Sequence, residues 1–250
     1  MIDLNNKITL ITGGSRGIGA ACVKYFIAAN SKVAFTYKQR KDEADKLTAQ
    51  FNDKDIFPVK VDMESETDIN KCVNEVINKF GRIDILVHNA GIWNDGTIEK
   101  LTLEGWEELM RINLTSNFLF VKAVLPSMKQ NKFGRIINIS STAGQRGEAF
   151  HSHYAASKGG MISFTKSLAV ELAPFNITTN SVAPGWVDTE LNKEVFADAG
   201  FKEDARKGIP IGRIPTAEDI AGPVLFLASD LARHINGEIL NVNGGSVLCG

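Results

Sequence analysis

Tyr154 and Lys158, four positions apart, are the residues in this sequence best suited to moving a proton. On a helix that spacing puts both side chains on one face, where they can address the same ligand. A free phenol titrates near pH ~10, so only about 0.1% is ionised at neutral pH, and a neighbouring ammonium favours the phenolate. Lys158 would supply that charge. Protonated, Tyr154 can give its proton to a carbonyl oxygen as hydride reaches the carbon; ionised, it can take the proton of an alcohol. Ser141 follows the apolar run 136–140. There a hydroxyl can hold the same oxygen through a bond that strengthens as alkoxide character develops. Singly, a core tyrosine, a surface lysine and a strand-end serine are ordinary residues, and the chemical reading rests on their joint occurrence.

A second constellation sits near the start of the chain. Thr12-Gly13-Gly14-Ser15-Arg16-Gly17-Ile18-Gly19 has the spacing GxxxGxG and lies between a strand-like run, 8–12, and a helical run, 18–29. A strand-to-helix turn without side chains lets a pyrophosphate approach the backbone and the positive end of the helix. Many NAD sites carry an acidic residue at the end of the second strand to bond the adenosine ribose. Here that place reads Thr36-Tyr37-Lys38, without a carboxylate. Arg16 and Lys38 are placed to meet an extra phosphate on the ribose, so NADP(H) is favoured over NAD(H). Asp62, after the third strand-like run, either bonds adenine or ends the strand.

The elements that must position these residues show in the hydrophobic pattern. Apolar or β-branched runs at 8–12, 32–36, 56–61, 83–88, 135–140, 177–182 and 238–242 alternate with segments of helical spacing. That is the pattern of repeated βαβ units. Most runs are continuously apolar, as in parallel strands covered on both faces. The expected fold is α/β: a single Rossmann-like doubly wound domain over residues 1–250, with a seven-stranded parallel sheet flanked by helices. The clearest helix is 65–80, where Ile69, Cys72, Val73, Val76, Ile77 and Phe80 form one stripe behind Ser65 as N-cap. Segments 103–128 and 154–172 read as longer helices with apolar residues on more than one side, which suits burial against another subunit.

Composition narrows the partners. With 28 basic and 29 acidic residues the net charge is −1, so no positive field attracts a polyanionic backbone, and nucleic acid is not expected. Cys22, Cys72 and Cys249 belong to no CxxC or CxxH pair; Cys22 and Cys72 read as buried small hydrophobes. The N-terminus lacks a basic start and apolar stretch, and no long apolar run occurs, so the expectation is a cytoplasmic protein with no membrane partner. Asn-x-Ser/Thr triplets at Asn113, Asn138 and Asn176 read as coincidental.

Together, residues 12–19, His88-Asn89-Ala90-Gly91, Ser141, Tyr154-Ala155-Ala156-Ser157-Lys158 and Pro184-Gly185 resemble the short-chain dehydrogenases/reductases over the whole chain. The chain is most similar to their 3-oxoacyl-[acyl-carrier-protein] reductase branch, in length and in the Ser15–Gly19 loop. The resemblance implies a catalytic set of Asn113, Ser141, Tyr154 and Lys158, with Asn113, a helix irregularity with a purpose in the helix that includes Trp106, completing a water-linked proton relay and Lys158 also holding the nicotinamide ribose. It implies coenzyme contacts from Gly13, Ser15, Arg16, Gly17, Ile18, Gly19, Tyr37, Lys38, Asp62, Met63, Asn89, Ala90, Gly91, Pro184, Gly185, Val187 and Thr189, the last two at the carboxamide. It also implies a homotetramer. His88 departs from the usual asparagine and reads as structural.

Substrate choice should fall to Trp93, the 144–153 loop and the 186–211 segment, which are mostly apolar. The expected substrate is a small carbonyl compound, above all a 3-oxoacyl thioester that an acyl carrier protein could present. Lys129, Lys132 and Arg135 read either as a docking patch for that acidic carrier or as a solvated helix end, and Phe175 stands where carrier-reducing relatives often have a basic residue. Three other readings remain: a dehydrogenase of sugars, polyols or cyclic secondary alcohols; a catalytically idle NADP-binding regulator; and a nucleotide-sugar epimerase. The regulator should have lost the phenol that Tyr154 retains, and the epimerase would favour GxxGxxG and a further C-terminal domain.

Overall fold

The computed structural model describes residues 2–248, so Cys249 lies outside the described residues. Seven strands, β1 (Ile8–Ile11), β2 (Lys32–Tyr37), β3 (Ile56–Lys60), β4 (Ile85–His88), β5 (Gly134–Ile139), β6 (Ile177–Pro184) and β7 (Ile239–Val242), form one sheet in the order 3-2-1-4-5-6-7. Every pairing is parallel. All residues of β1, β4, β5 and β6 are buried, which is why their runs are apolar without alternation.

Helices cover both faces. On one, Val23 and Phe26 of α1 (Gly17–Ala28), Leu47 of α2 (Lys41–Thr48) and Ile220 and Val224 of α9 (Ala217–Ala228) share a core with Ile11, Phe35 and Val87. On the other, α3 (Glu66–Phe80), α5 (Ser116–Asn131) and α7 (Ser152–Leu172) bury Ile69, Phe120 and Leu168 against Leu10, Leu86 and Ile136. The Ser65 hydroxyl caps α3 by accepting from the Asp68 N–H at 3.1 Å, and the helix stops at Gly81 with φ 91°. Such a cap contributes about 1 kcal/mol.

Residues 103–128 are not one regular helix. They divide into α4 (Leu103–Met110), a π-helical turn (Arg111–Thr115) and the first part of α5, with Asn113 inside the turn. Single π turns place an extra residue in the backbone coil and often mark functional positions. Four helices escape the sequence pattern: α2, α9 and the short α6 (Thr142–Arg146) and α8 (Ala199–Lys207). In α2 only Ala44 and Leu47 are buried, and α9 carries Gly222 and Pro223 internally yet is held by burying Ile220, Ala221 and Val224. Packing overrides propensity there.

Among the described residues no helix is long and apolar enough to cross a membrane. Cys22 and Cys72 are buried, and burial pushes both thiols up to about 12. Two of the three Asn-x-Ser/Thr triplets are inaccessible, since Asn113 and Asn138 are fully buried.

Candidate active site

The sheet order reverses between β1 and β4, and a crevice opens at such a switch point beyond the carboxyl ends of the strands. The glycine loop leaves β1 there and Asn89-Ala90-Gly91 leaves β4. Gly13 has φ 64°, and a Cβ on it would lie 3.1 Å from Ala90 Cα, so the two exits touch backbone to backbone. A Cβ on Gly19 would strike the Gly13 carbonyl, which closes the loop onto the start of α1. The first turn of α1 has neither a capping side chain nor an acidic residue. Its N–H groups and dipole therefore remain available to an anion, and these residues fit the phosphates of a dinucleotide.

Two threonines that sequence reasoning did not single out knit this cradle together. The buried Thr12 hydroxyl accepts the N–H groups of Asn89 at 3.0 Å and Ala90 at 2.9 Å. Asn89 Nδ2 donates back to the carbonyls of Thr12 and Gly13, and Gly13 N–H donates to the Thr36 hydroxyl at 3.0 Å. The only signal for Thr12 was its place ahead of the glycines.

Ser141, Tyr154 and Lys158 line one cavity of about 370 Å³ together with Ile18, Asn89, Gly91, Pro184, Gly185, Val187 and Thr189. Its walls thus come from the ends of β1, β4, β5 and β6. Ser141 is the N-cap of a short helix, α6 (Thr142–Arg146), and its Oγ accepts from the Ala143 N–H at 3.1 Å, which fixes its direction. Tyr154 and Lys158 sit in the first two turns of α7. Gly144 lets α6 press on that helix, because a Cβ there would come within 2.5 Å of the Lys158 carbonyl carbon. Lys158 is 4% exposed, donates to the Ile139 carbonyl at 2.8 Å, and holds its Nζ 5.8 Å from the Tyr154 ring centre.

The electrostatics differ from the sequence expectation. Burial pushes the Tyr154 phenol up to about 12, against a smaller lowering by its hydrogen bond with Ser141; nearby Glu148 pushes it up further. Burial likewise brings Lys158 down to about 8. Desolvation dominates at both groups, and Lys158 does not lower the neutral phenol as its spacing had suggested. At neutral pH the proton resides on Tyr154.

Asn113 does not line the cavity but stands beside it: its Oδ1 is 3.0 Å and Lys158 Nζ 3.5 Å from where a Cβ on Gly91 would be. Its side chain clamps Ile92, accepting from the N–H at 2.8 Å and donating to the carbonyl at 3.0 Å, and also donates to Ser157 Oγ at 3.2 Å. Ser157, another residue without a signal in the sequence, donates to the Tyr154 carbonyl at 2.8 Å. His88 is buried behind the site with Nε2 3.1 Å from the Ser116 hydroxyl. Burial first, and the Lys158 charge second, hold it down at about 3, so it stays neutral.

The remaining expected contacts spread out. Ser15, Arg16, Gly17 and Thr189 line an adjoining hollow of about 720 Å³ between α1, α2 and the segment after β6. Tyr37, Lys38, Asp62 and Met63 line neither cavity. Lys38 is bound to Asp62 at 2.9 Å and Glu64 at 3.6 Å, while Met63 is buried in the core beside Val61 and Ile69. Lys129, Lys132 and Arg135 lie at the opposite end of β5 from Ser141. Six residues of strand, at ~3.3 Å each, put roughly 20 Å between Arg135 and that hydroxyl. Arg135 is moreover buried, stacked 4.3 Å over Phe133 and 4.0 Å from Asp230. Ser246 and Val247, past the last strand, complete the wall and carried no sequence signal.

A family model described as "Enoyl-(Acyl carrier protein) reductase" matches residues 13–246. A protein of Aquifex aeolicus named 3-oxoacyl-[acyl-carrier-protein] reductase FabG is 40% identical over 98% of both chains. The protein of that name from Haemophilus influenzae is 40% identical over 98% of this chain and 100% of its own. The crystal structure of gox2181 is similar at TM-score 0.92 and 31% identity, over 98% of this chain and 96% of that one. A Brucella melitensis structure named "Short-chain dehydrogenase/reductase SDR:Glucose/ribitol dehydrogenase" reaches TM-score 0.93 at 29% identity, over 99% of each chain. Sequence, sheet order and the crevice at the switch point agree: this chain belongs to the short-chain dehydrogenase/reductase family and is a nicotinamide-dependent oxidoreductase acting on alcohol and carbonyl carbons.

Proposed function

We propose that the chain reduces a carbonyl to a secondary alcohol with NADP(H), and that its substrate is a 3-oxoacyl thioester, free or presented by an acyl carrier protein. The carrying observation is the convergence of Ser141, Tyr154 and Lys158 in one cavity with the exits of β1, β4 and β6. The substrate class is supported by the names of the relatives. The seven strands share one sheet, which supports a single catalytic domain spanning the chain.

The bound coenzyme supplies the hydride. Ser15, Gly17, Ile18 and Gly19 would hold its phosphates through backbone N–H groups and the start of α1, and Gly13, whose N–H is taken by Thr36, would let the backbone come close to them. Asn89, Ala90 and Gly91 flank the adenosine side, and Pro184, Gly185, Val187 and Thr189 hold the nicotinamide end. Arg16 faces the hollow beside the loop and has no carboxylate partner among the described residues. It carries the preference for the extra phosphate, a role in which Lys38 is hindered by Asp62. Lys158 spends one of three N–H groups on Ile139, leaving two for ribose hydroxyls. Ser141 Oγ is fixed by Ala143 and hydrogen-bonded with Tyr154, so a substrate oxygen entering between the two hydroxyls would take up the bond that Ser141 now makes to the phenol. Tyr154 then donates its proton to that oxygen.

The test is NADPH oxidation with acetoacetyl thioesters. Tyr154→Phe should abolish turnover, on the order of 10³-fold or more, with coenzyme binding near normal; unchanged turnover refutes the mechanism. Oxidation of NADPH with cyclic ketones or sugars but no thioester refutes the substrate. A dehydrogenase of sugars, polyols or cyclic alcohols is the second reading, favoured by the likeness to the Brucella melitensis structure, whose name includes glucose and ribitol. We also read the protein as a homotetramer, supported by exposed apolar residues on α5 and α7, Phe118 and Val170. A monomer by light scattering refutes that.

A further inference from the structure

Two indoles line the cavity. Trp93, from the loop after β4, and Trp186, after β6, both line it and meet edge to face, with ring centres 5.9 Å apart at 78°. Each is braced from behind. The His151 ring stacks on Trp93 at 4.4 Å and 15°. Trp186 stands against Phe201 at 5.3 Å and 88°, and against Phe196 at 5.8 Å. The backbone reinforces the first brace, because Gly96 N–H donates to the carbonyl of Phe150, itself turned to φ 64°, at 2.7 Å. Aromatic pairs of this geometry contribute beyond their buried area and hold one another's rotamers. The two indoles are thus a supported wall joining three segments of chain. The cavity is about 370 Å³, near the low end for small-molecule sites, and it must receive both the reacting ring of the coenzyme and the substrate carbonyl.

We propose that Trp93 and Trp186 set the length limit of the substrate: the chain turns over short or flat carbonyl compounds and rejects long acyl tails, because the paired indoles occupy the space a tail would need. This rests on the reductase reading above and narrows its substrate class. A tail can enter only by separating the rings, which sacrifices the contacts with His151, Phe196 and Phe201. Removing one indole opens the wall without touching Ser141, Tyr154 or Lys158.

The experiment measures kcat/KM with NADPH for acetoacetyl, 3-oxooctanoyl and 3-oxododecanoyl thioesters of N-acetylcysteamine. It compares the unaltered protein with Trp186→Ala, Trp93→Ala and the milder Trp186→Phe, with NADPH affinity as the check on folding. The unaltered protein should favour acetoacetyl over 3-oxododecanoyl by at least about tenfold, the factor that a loss near 1.4 kcal/mol produces. Either alanine variant should move that ratio toward the long chain by about tenfold or more, and Trp186→Phe by less. A flat length profile in the unaltered protein, or an unchanged ratio in variants that bind NADPH, overturns the wall. If every thioester is inert and cyclic ketones are reduced, the 3-oxoacyl reading falls. The wall is then judged on ring size, where Trp186→Ala must extend turnover from small rings to bulky ones, and no extension overturns it. Inertness toward both series overturns both claims.

Discussion

Lys158 is a charge that the fold holds at a cost, and the cost can be measured. Burial lowers its pKa from an ordinary 10.5 to about 8 in the folded chain. Between those values the unfolded chain binds a proton that the folded chain does not, so stability rises with pH across this window. At about 1.4 kcal/mol per pH unit the full interval corresponds to roughly 3 kcal/mol, most of which is recovered between pH 7 and pH 10. Below about pH 8 both states are charged, and the folded one carries the whole penalty. Tyr154 works the other way. Its phenol is raised to about 12, so stability falls as pH climbs past the ordinary value near 10. Replacing Lys158 by Met keeps an unbranched, buried side chain and removes the titration. The measurement is urea unfolding of the unaltered protein and Lys158→Met at pH 7 and pH 10, at one protein concentration. The difference between the two proteins should change by about 2 to 3 kcal/mol, with the unaltered protein gaining at high pH. Tyr154 cancels because both proteins contain it. A change below about 0.5 kcal/mol, or one of opposite sign, refutes the claim that desolvation dominates at Lys158. Lys158→Met should also lose reductase turnover.

Gly144→Ala forces a methyl group toward the Lys158 backbone, 2.5 Å away. Overpacking of this kind costs about 1–3 kcal/mol, or roughly 2–12 °C in Tm for a chain of this size. Because α6 carries Ser141 and α7 carries Tyr154, turnover should fall as well, by about 10²-fold for each ångström of misplacement. A Tm and kcat equal to those of the unaltered protein contradict the contact. Thr12→Val retains shape but leaves the buried N–H groups of Asn89 and Ala90 without an acceptor. At about 1–3 kcal/mol per group it should destabilise by roughly 2–6 kcal/mol and weaken NADPH binding. Unfolding and fluorescence titration check both, and an effect below about 0.5 kcal/mol shows that water replaces the hydroxyl.

What the sequence makes legible here follows from how far each signal reaches along the chain. The strands are visible because burial on both faces leaves continuous apolar runs, and α3 is visible because it has one buried stripe, a Ser65 cap and a Gly81 stop. The π turn has no composition of its own, and only the family resemblance, which makes Asn113 a helix irregularity, points to the turn that brings Asn113 against the β4 exit. The pairing of Lys38 with Asp62 joins two strand ends that are far apart in sequence but adjacent in the sheet. Lys129 and Lys132 end α5 and Arg135 begins β5, the strand that leads to Ser141, but only the sheet shows that they stand at its other end. Types and spacings specify which groups converge; desolvation and the ends of strands decide what charge they carry and what they reach.

The charge states matter most at Tyr154. A phenol at about 12 and an ammonium at about 8 mean that near neutrality the protein alone holds one proton on the oxygen and a positive charge one helical turn away. An anionic oxygen developing in the cavity meets both at once. On the proposed mechanism it would take the proton from Tyr154, and the phenolate left behind would gain the attraction of Lys158, which the neutral phenol does not feel. Electrostatic stabilisation of this kind is specific to the transition state, because no charge is present for it to act on before the hydride moves. Burial, which opposes the ionised phenol in the resting protein, also removes the water that would screen its attraction to Lys158. On that mechanism the lysine's charge would act on Tyr154 at the moment of proton transfer and not before it.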